Sequence, residues 1–350
     1  MRKILLLSIL CIAVGINGFG RTSTTFSLQE NVPLFVYSLP QTQLCIDVKI
    51  EKVTQQPGEF YKYSERFLAT KEVITEEKTT YVLKDIQIKT KTIADPNRTY
   101  SIKVGKKTPI KNICVNEKGI LYGINIPKDG IPREAEQAAP DKAPAPEQAN
   151  TSKVLPLTEE YMIASSVAKM AEGAAKQIYR IRESRINLLT GDVDQLPADG
   201  ESFKTMLDGM NQMEKELTEL FTGKTIVESQ THTIYLTPSK KVNDEVLFRI
   251  SSMKGLVAAN DLSGNPYYIS IVPKTIPMQP QTEKGTAGID LYSILPTTAQ
   301  VTISDGKSDF LSEEIIAPQF GRIIPIPEVL FQKNAEILID NTTGRLLKTN

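Results

Sequence analysis

The chain of 350 residues has no tryptophan and one histidine, His232. A single histidine excludes the common zinc sites built on two or more imidazoles. His232 stands in an alternating stretch and shares its face with Ile234 and Leu236. It therefore reads as a half-buried packing residue rather than the base of a hydrolytic triad. The missing tryptophan weighs against a sugar site, because sugar rings favour broad aromatic platforms. Cysteine is scarce too: there are three, with no CxxC, which leaves redox and zinc-thiolate motifs without support. Neither sign of charge dominates. Lys+Arg 41 balances Asp+Glu 41 and the pI is about 6.7, so there is no basic field with which to hold nucleic acid.

What is present begins with a leader. Arg2 and Lys3 precede an apolar run over residues 4–14, and Gly15, Gly18 and Gly20 follow. That order of positive, apolar and small residues is the grammar of a secretory signal peptide, expected over residues 1–20. The run is shorter than the roughly 20 residues of a membrane span. Cys11 follows Leu10 and lies inside the run, whereas a lipid-modified cysteine closes such a run behind a small residue, so no lipid anchor is expected. No later stretch is long and apolar enough for a transmembrane helix. The mature chain is expected in the periplasm, at the cell surface or outside the cell. Export leaves Cys45 and Cys114 where a disulfide is permitted. Both sit opposite an apolar stripe, and a disulfide and two separate half-buried thiols remain equally open.

Periodicity divides the mature chain. Residues 21–126 read as a β-rich module: residues 34–39 are an extended apolar run, and residues 44–53 alternate, as a half-buried strand does. Strands are also expected over residues 81–88, 100–104 and 113–115, with Asp95-Pro96-Asn97 as a turn between two of them. Residues 57–68 suit a short helix begun at Pro57 and Gly58, with Phe60, Ser64, Phe67 and Leu68 on one face. Residues 127–157 are rich in Ala, Pro and Glu and cannot bury enough apolar surface to offset ordering, so a flexible linker is expected. Residues 158–222 turn helical. Ile163, Val167, Met170, Ala174, Ile178, Ile181 and Leu188 form one stripe, with Thr158 as cap and Gly191 as stop. Phe203, Met206, Leu207, Met210, Met213, Leu217 and Leu220 form a second, between Asp199 and Gly223. Together they predict an antiparallel hairpin with the methionine-rich stripe in its core. Residues 223–350 return to period two as a C-terminal β-rich module. Tyr37-Ser38-Leu39-Pro40 is echoed by Tyr292-Ser293-Ile294-Leu295-Pro296, a hint of two related β units.

Three patterns invite chemistry and fail on inspection. Gly223-Lys224-Thr225 resembles the end of a phosphate loop, but Thr218 occupies the first glycine position and a helix precedes it. Asp192, Asp194 and Asp199 lack the spacing of a calcium loop. Phe60, Tyr61 and Tyr63 form an aromatic cluster that reads as a plug at one end of the β module.

Some longer stretches carry a resemblance. They are Val36-Tyr37-Ser38-Leu39-Pro40 with the strand that follows, residues 57–68, and the helix end Leu217-Thr218-Glu219-Leu220-Phe221-Thr222-Gly223-Lys224-Thr225. In these the chain resembles an uncharacterised domain-of-unknown-function family of secreted Bacteroidetes proteins. The resemblance implies a cell-envelope setting in a Gram-negative bacterium and brings no activity, cofactor or catalytic residue. The sequence thus predicts an α+β fold of two antiparallel β-rich modules with an inserted antiparallel helical hairpin. It assigns no catalytic, cofactor-binding or metal residue and no cofactor. The expected function is a non-enzymatic, secreted envelope protein that binds or scaffolds an unknown protein or envelope component. The alternative is a carboxylate-dependent hydrolase of envelope or dietary polymers, which would show two converging carboxylates, one strongly perturbed.

Overall fold

A computed structural model describes residues 34–103, 110–126, 166–193, 199–274, 291–327 and 335–349. The expected signal peptide and linker, with Cys11, Thr158, Ile163 and Asp194, lie outside the described residues. The fold is α+β with antiparallel sheets, as the periodicity predicts.

Two long hairpins organise it. The first joins β1 (Leu34–Gln56) to β2 (Lys78–Lys103), and the second joins β9 (Tyr292–Ser304) to β10 (Asp309–Pro325). Strand β5 (Lys224–Leu236) adds to the far side of β1, giving the order β2-β1-β5. Strands β6 (Val242–Ser251), β7 (Gly255–Val257) and β8 (Asn265–Pro273) extend the second hairpin into the order β10-β9-β8-β6-β7. A third sheet has the order β12-β11-β4-β3, from β3 (Ile113–Val115), β4 (Leu121–Ile124), β11 (Ile337–Ile339) and β12 (Leu346–Thr349). The two β-rich stretches therefore share sheets: β5 pairs with β1, and β11 with β4.

Period two decides the first core. Leu44, Ile46, Val48 and Ile50 of β1 point inward and pack with Phe248, Ile269, Ile271, Val301 and Ile303 of the facing sheet. Each such fully buried side chain contributes about 1.5–3 kcal/mol. The open ends of the two hairpins serve a second core. Tyr37, Leu39 and Ile102 of the first hairpin and Ile294 of the second meet Leu121, Ile124, Ile337 and Ile339 of the third sheet.

The passage between cores is made at proline in both hairpins. Pairing of β1 with β2 jumps from Ser38–Thr99 to Pro40–Ala94, leaving Asp95, Pro96, Asn97 and Arg98 as a bulge. Pairing of β9 with β10 jumps from Thr297–Ala317 to Leu295–Arg322, leaving Pro318, Gln319, Phe320 and Gly321. Proline has no N–H to give to a ladder, so a break there costs little and lets the hairpin bend. The Asp95-Pro96-Asn97 signal is thus a bulge inside one strand, not the turn between two. The echo around Pro40 and Pro296 has a structural counterpart. Two residues before each proline, Ser38 N donates to Gly119 O at 2.9 Å and Ile294 N to Gly344 O at 2.7 Å. Both glycines have positive φ in the turns of the third sheet.

Helices cap the far end of the first sheet. A 3₁₀ turn (Tyr61–Tyr63) leads into α1 (Ser64–Leu68), so the single helix expected over residues 57–68 is split; Ser64 Oγ donates to Tyr61 O and closes the tight turn. Helix α2 (Val167–Thr190) starts behind Ser166, which accepts from Lys169 N. Helix α3 (Gly200–Thr222) starts behind Asp199, which accepts from Ser202 N at 2.7 Å. Gly191 and Gly223 end the two, as expected. Phe60 is buried against Ala174, Ile178, Leu217 and Phe221, so the aromatic cluster underpins the helical hairpin rather than plugging a β end. Gly58 permits this seat: a Cβ there would lie 2.3 Å from Leu220 O.

Candidate functional site

Asp47 on β1 accepts from Thr233 Oγ1 at 2.5 Å and from Lys89 Nζ at 2.9 Å. The threonine hydrogen bond, with help from Lys89, holds its carboxyl below the ordinary range. Burial pushes Glu214 upward, but hydrogen bonds from Arg182 and Arg185 outweigh it and hold that carboxyl low as well. Asp199, Asp261 and Asp305 are lowered by backbone and side-chain donors in their caps and turns. Among the described residues every carboxyl with a displaced pKa is thus displaced toward the charged form, the opposite of what a general acid needs.

The remaining sequence candidates have structural roles. His232 is exposed on β5 opposite Val48, and not half-buried, because β5 is an edge strand and no neighbour covers that position. Cys45 and Cys114 are free, in the first and third sheets respectively. Burial raises both thiols above their ordinary value, which keeps them protonated and poorly nucleophilic. Gly223 and Lys224 are the helix stop and the strand start that the sequence predicted. Among the described residues no three potential ligands come together for a metal ion.

The polar centre of the molecule escaped sequence reasoning. The two proline-linked bulges face each other. Arg98 Nη2 donates to Gln319 O at 2.6 Å and Nη1 to Pro318 O at 3.3 Å, while its Nε lies 3.4 Å from Asp95 Oδ2. Thr42 N donates to Gln319 Oε1 at 3.0 Å, and Gln319 Nε2 donates to Thr42 O at 2.9 Å. The side-chain amide thereby copies one rung of a β ladder and stitches the first sheet to the second. Thr42, Asp95 and Gln319 are buried. Among the described residues no buried side-chain nitrogen or oxygen lacks a partner, so this centre reads as a satisfied structural clasp.

The open surface lies on the helical hairpin. Arg182 Nε binds Glu214 Oε1 at 2.6 Å, Arg185 binds the other oxygen, and Arg185 also donates to Asn211 at 2.8 Å. These bonds fasten α2 to α3 midway. On the Phe60 side of them one face of each helix is buried; on the other side much less is. Ile186 is 58%, Leu189 61%, Met206 39% and Met213 41% exposed. Beyond residue 185 only Leu188 of α2 is buried, and before Leu217 no residue of α3 is. The methionine-rich stripe is therefore not core along its length, contrary to the sequence expectation. Two helices without a third layer cannot cover two full stripes.

No curated protein and no solved structure matches the chain. A family model, Domain of unknown function (DUF4831), matches residues 35–347. That match runs from the first strand through both bulged hairpins and the helices to the last, and the chain belongs to this family.

Proposed function

We propose that this chain is a non-enzymatic binding or scaffolding protein of the cell envelope whose helical hairpin is the docking element. The supporting observation is the uncovered apolar strip of Ile186, Leu189, Met206 and Met213 on a hairpin otherwise fastened by ion pairs. Singly exposed apolar residues are ordinary, but a strip on one end of a two-helix unit marks an interaction site. Flexible methionines adapt to a partner's shape. The apolar leader over residues 4–14 supports export, and so the envelope as the place of action. Among the described residues no helix is long and apolar enough to cross a membrane.

The partner expected is a protein presenting an apolar helix to the hairpin. A tagged mature chain, recovered from the native envelope after cross-linking, should enrich one such protein. The double variant Leu189→Asp and Met206→Asp should lose it while keeping its thermal midpoint, because both side chains are exposed. Equal recovery with the variant, or no enriched protein with the wild type, would overturn the reading.

A further inference from the structure

We propose that two copies of the chain pair through the free edge of β5, antiparallel and centred on Gln230. Among the described residues no strand pairs with the outer edge of β5, and the outer edge of β2 is met at Tyr81, whose N–H donates to Ser252 O at 2.9 Å. Proteins protect such edges with charge, above all lysine. Strand β2 follows the rule: Lys78, Lys84, Lys89 and Lys91 are all exposed along it. Strand β5 does not. Between Thr225 and Leu236 its one charged residue is Glu228. Twelve residues of strand with a single charge are an efficient template for another strand.

The sequence of β5 says which strand fits. From Ile226 to Ile234 it is close to a chemical palindrome about Gln230, a match that ends at Thr225 with Tyr235 and Lys224 with Leu236. On the face shared with Val48 and Ile50, the two-fold sets Ile226 opposite Ile234, Glu228 opposite His232 and Gln230 opposite itself. On the other face it sets Val227 opposite Thr233 and Ser229 opposite Thr231. Burial follows the same symmetry: positions 224, 226, 234 and 236 are half-buried and the seven between 227 and 233 are exposed. Lys52 donates to Oε2 of Glu228 at 2.9 Å, which leaves Oε1 to accept from the imidazole of the second copy's His232. The register is selective. Centring on Ser229 sets Ile226 opposite His232, and centring on Thr231 sets Glu228 opposite Ile234. Directly opposed side chains are the unit of sheet pairing, so mismatches of this kind decide the register.

The product is a six-stranded sheet, β2-β1-β5 continued by β5-β1-β2 of the second copy. Because α3 runs into β5 through Gly223, the two helical hairpins emerge at opposite ends of the joined strands, about 40 Å apart at 3.4 Å per residue. The pairing does not depend on what the hairpin binds.

Sedimentation of the mature chain over a concentration series tests it. The wild type should shift from monomer to dimer. Gln230→Lys sets two ammonium groups against each other at the axis and should weaken the dimer several-fold, with unchanged circular dichroism; Gln230→Glu should do the same. An equimolar mixture of the two variants should restore a heterodimer, because the opposed charges then attract. A wild type that stays monomeric at its highest soluble concentration would overturn the proposal. So would a dimer indifferent to Gln230→Lys, or variants whose mixture fails to associate.

Discussion

Gln319 shows how one side chain can do the work of a strand. Its amide takes both the N–H and the C=O of Thr42, two backbone groups that a break in pairing would otherwise leave unsatisfied inside the protein. Replacing it with leucine keeps the volume and removes both bonds. Each buried group left without a partner costs about 1–3 kcal/mol. Gln319→Leu should therefore lower stability by roughly 2 kcal/mol or more, read as a shift in denaturant midpoint at constant slope. Gln319→Glu keeps an acceptor for Thr42 N but loses the donor to Thr42 O, and adds a buried charge. It should be no better. Arg98 is the companion residue, since its guanidinium occupies the carbonyls of the opposite bulge.

At the scale of elements, Glu214 is the residue that makes two helices one unit. Its carboxylate accepts from Arg182 and Arg185 across the hairpin, at a position largely shielded from water. Its pKa in the folded protein lies below the ordinary 4.5, and that of Asp47 lies below 3.8. A depressed carboxyl binds fewer protons in the folded state than in the unfolded state. Its stabilisation is complete above the unfolded value and is lost as the pH falls through the folded one. Thermal midpoints should thus fall between about pH 5 and pH 3. In Glu214→Gln, which is already uncharged, the fall should be smaller and the midpoint at neutral pH lower. An equal acid slope in the variant would show that the ion pair contributes nothing. The same element explains the misread methionines. A repeat of three and four residues states which face of a helix is apolar, and cannot state how far along that face a neighbour extends.

At the scale of the whole molecule, β1 and β9 each belong to two cores. Tyr37 and Leu39 lie in one and Leu44 to Ile50 in the other; Ile294 lies in one and Val301 and Ile303 in the other. Neither core can open without breaking strands of the other, so the two should unfold together. Native-state hydrogen exchange should show the amides of β1 and of β11 reaching the same maximal opening free energy. Separate plateaus would mean that the clasp at Thr42 and Gln319 is a hinge.

Much of this was legible in the chain itself. Period two placed parts of β1, β2, β5, β6, β8 and β9 but marked no strand over β10, Asp309–Pro325; Gly191, Asp199 and Gly223 placed helix ends, because capping and alternation are local consequences of backbone geometry. The echo around Pro40 and Pro296 was visible as words before its meaning was. The sequence alone also established a single histidine and a balance of charge, which weigh against sites built on several imidazoles and against a basic field. Tertiary structure decided the rest. It turned Asp95-Pro96-Asn97 into a bulge, joined Thr42 to Gln319 across 277 residues, left His232 on an open edge and stopped the hairpin core halfway. These outcomes depend on which distant element arrives to cover a surface or satisfy a donor, and no local pattern carries that information.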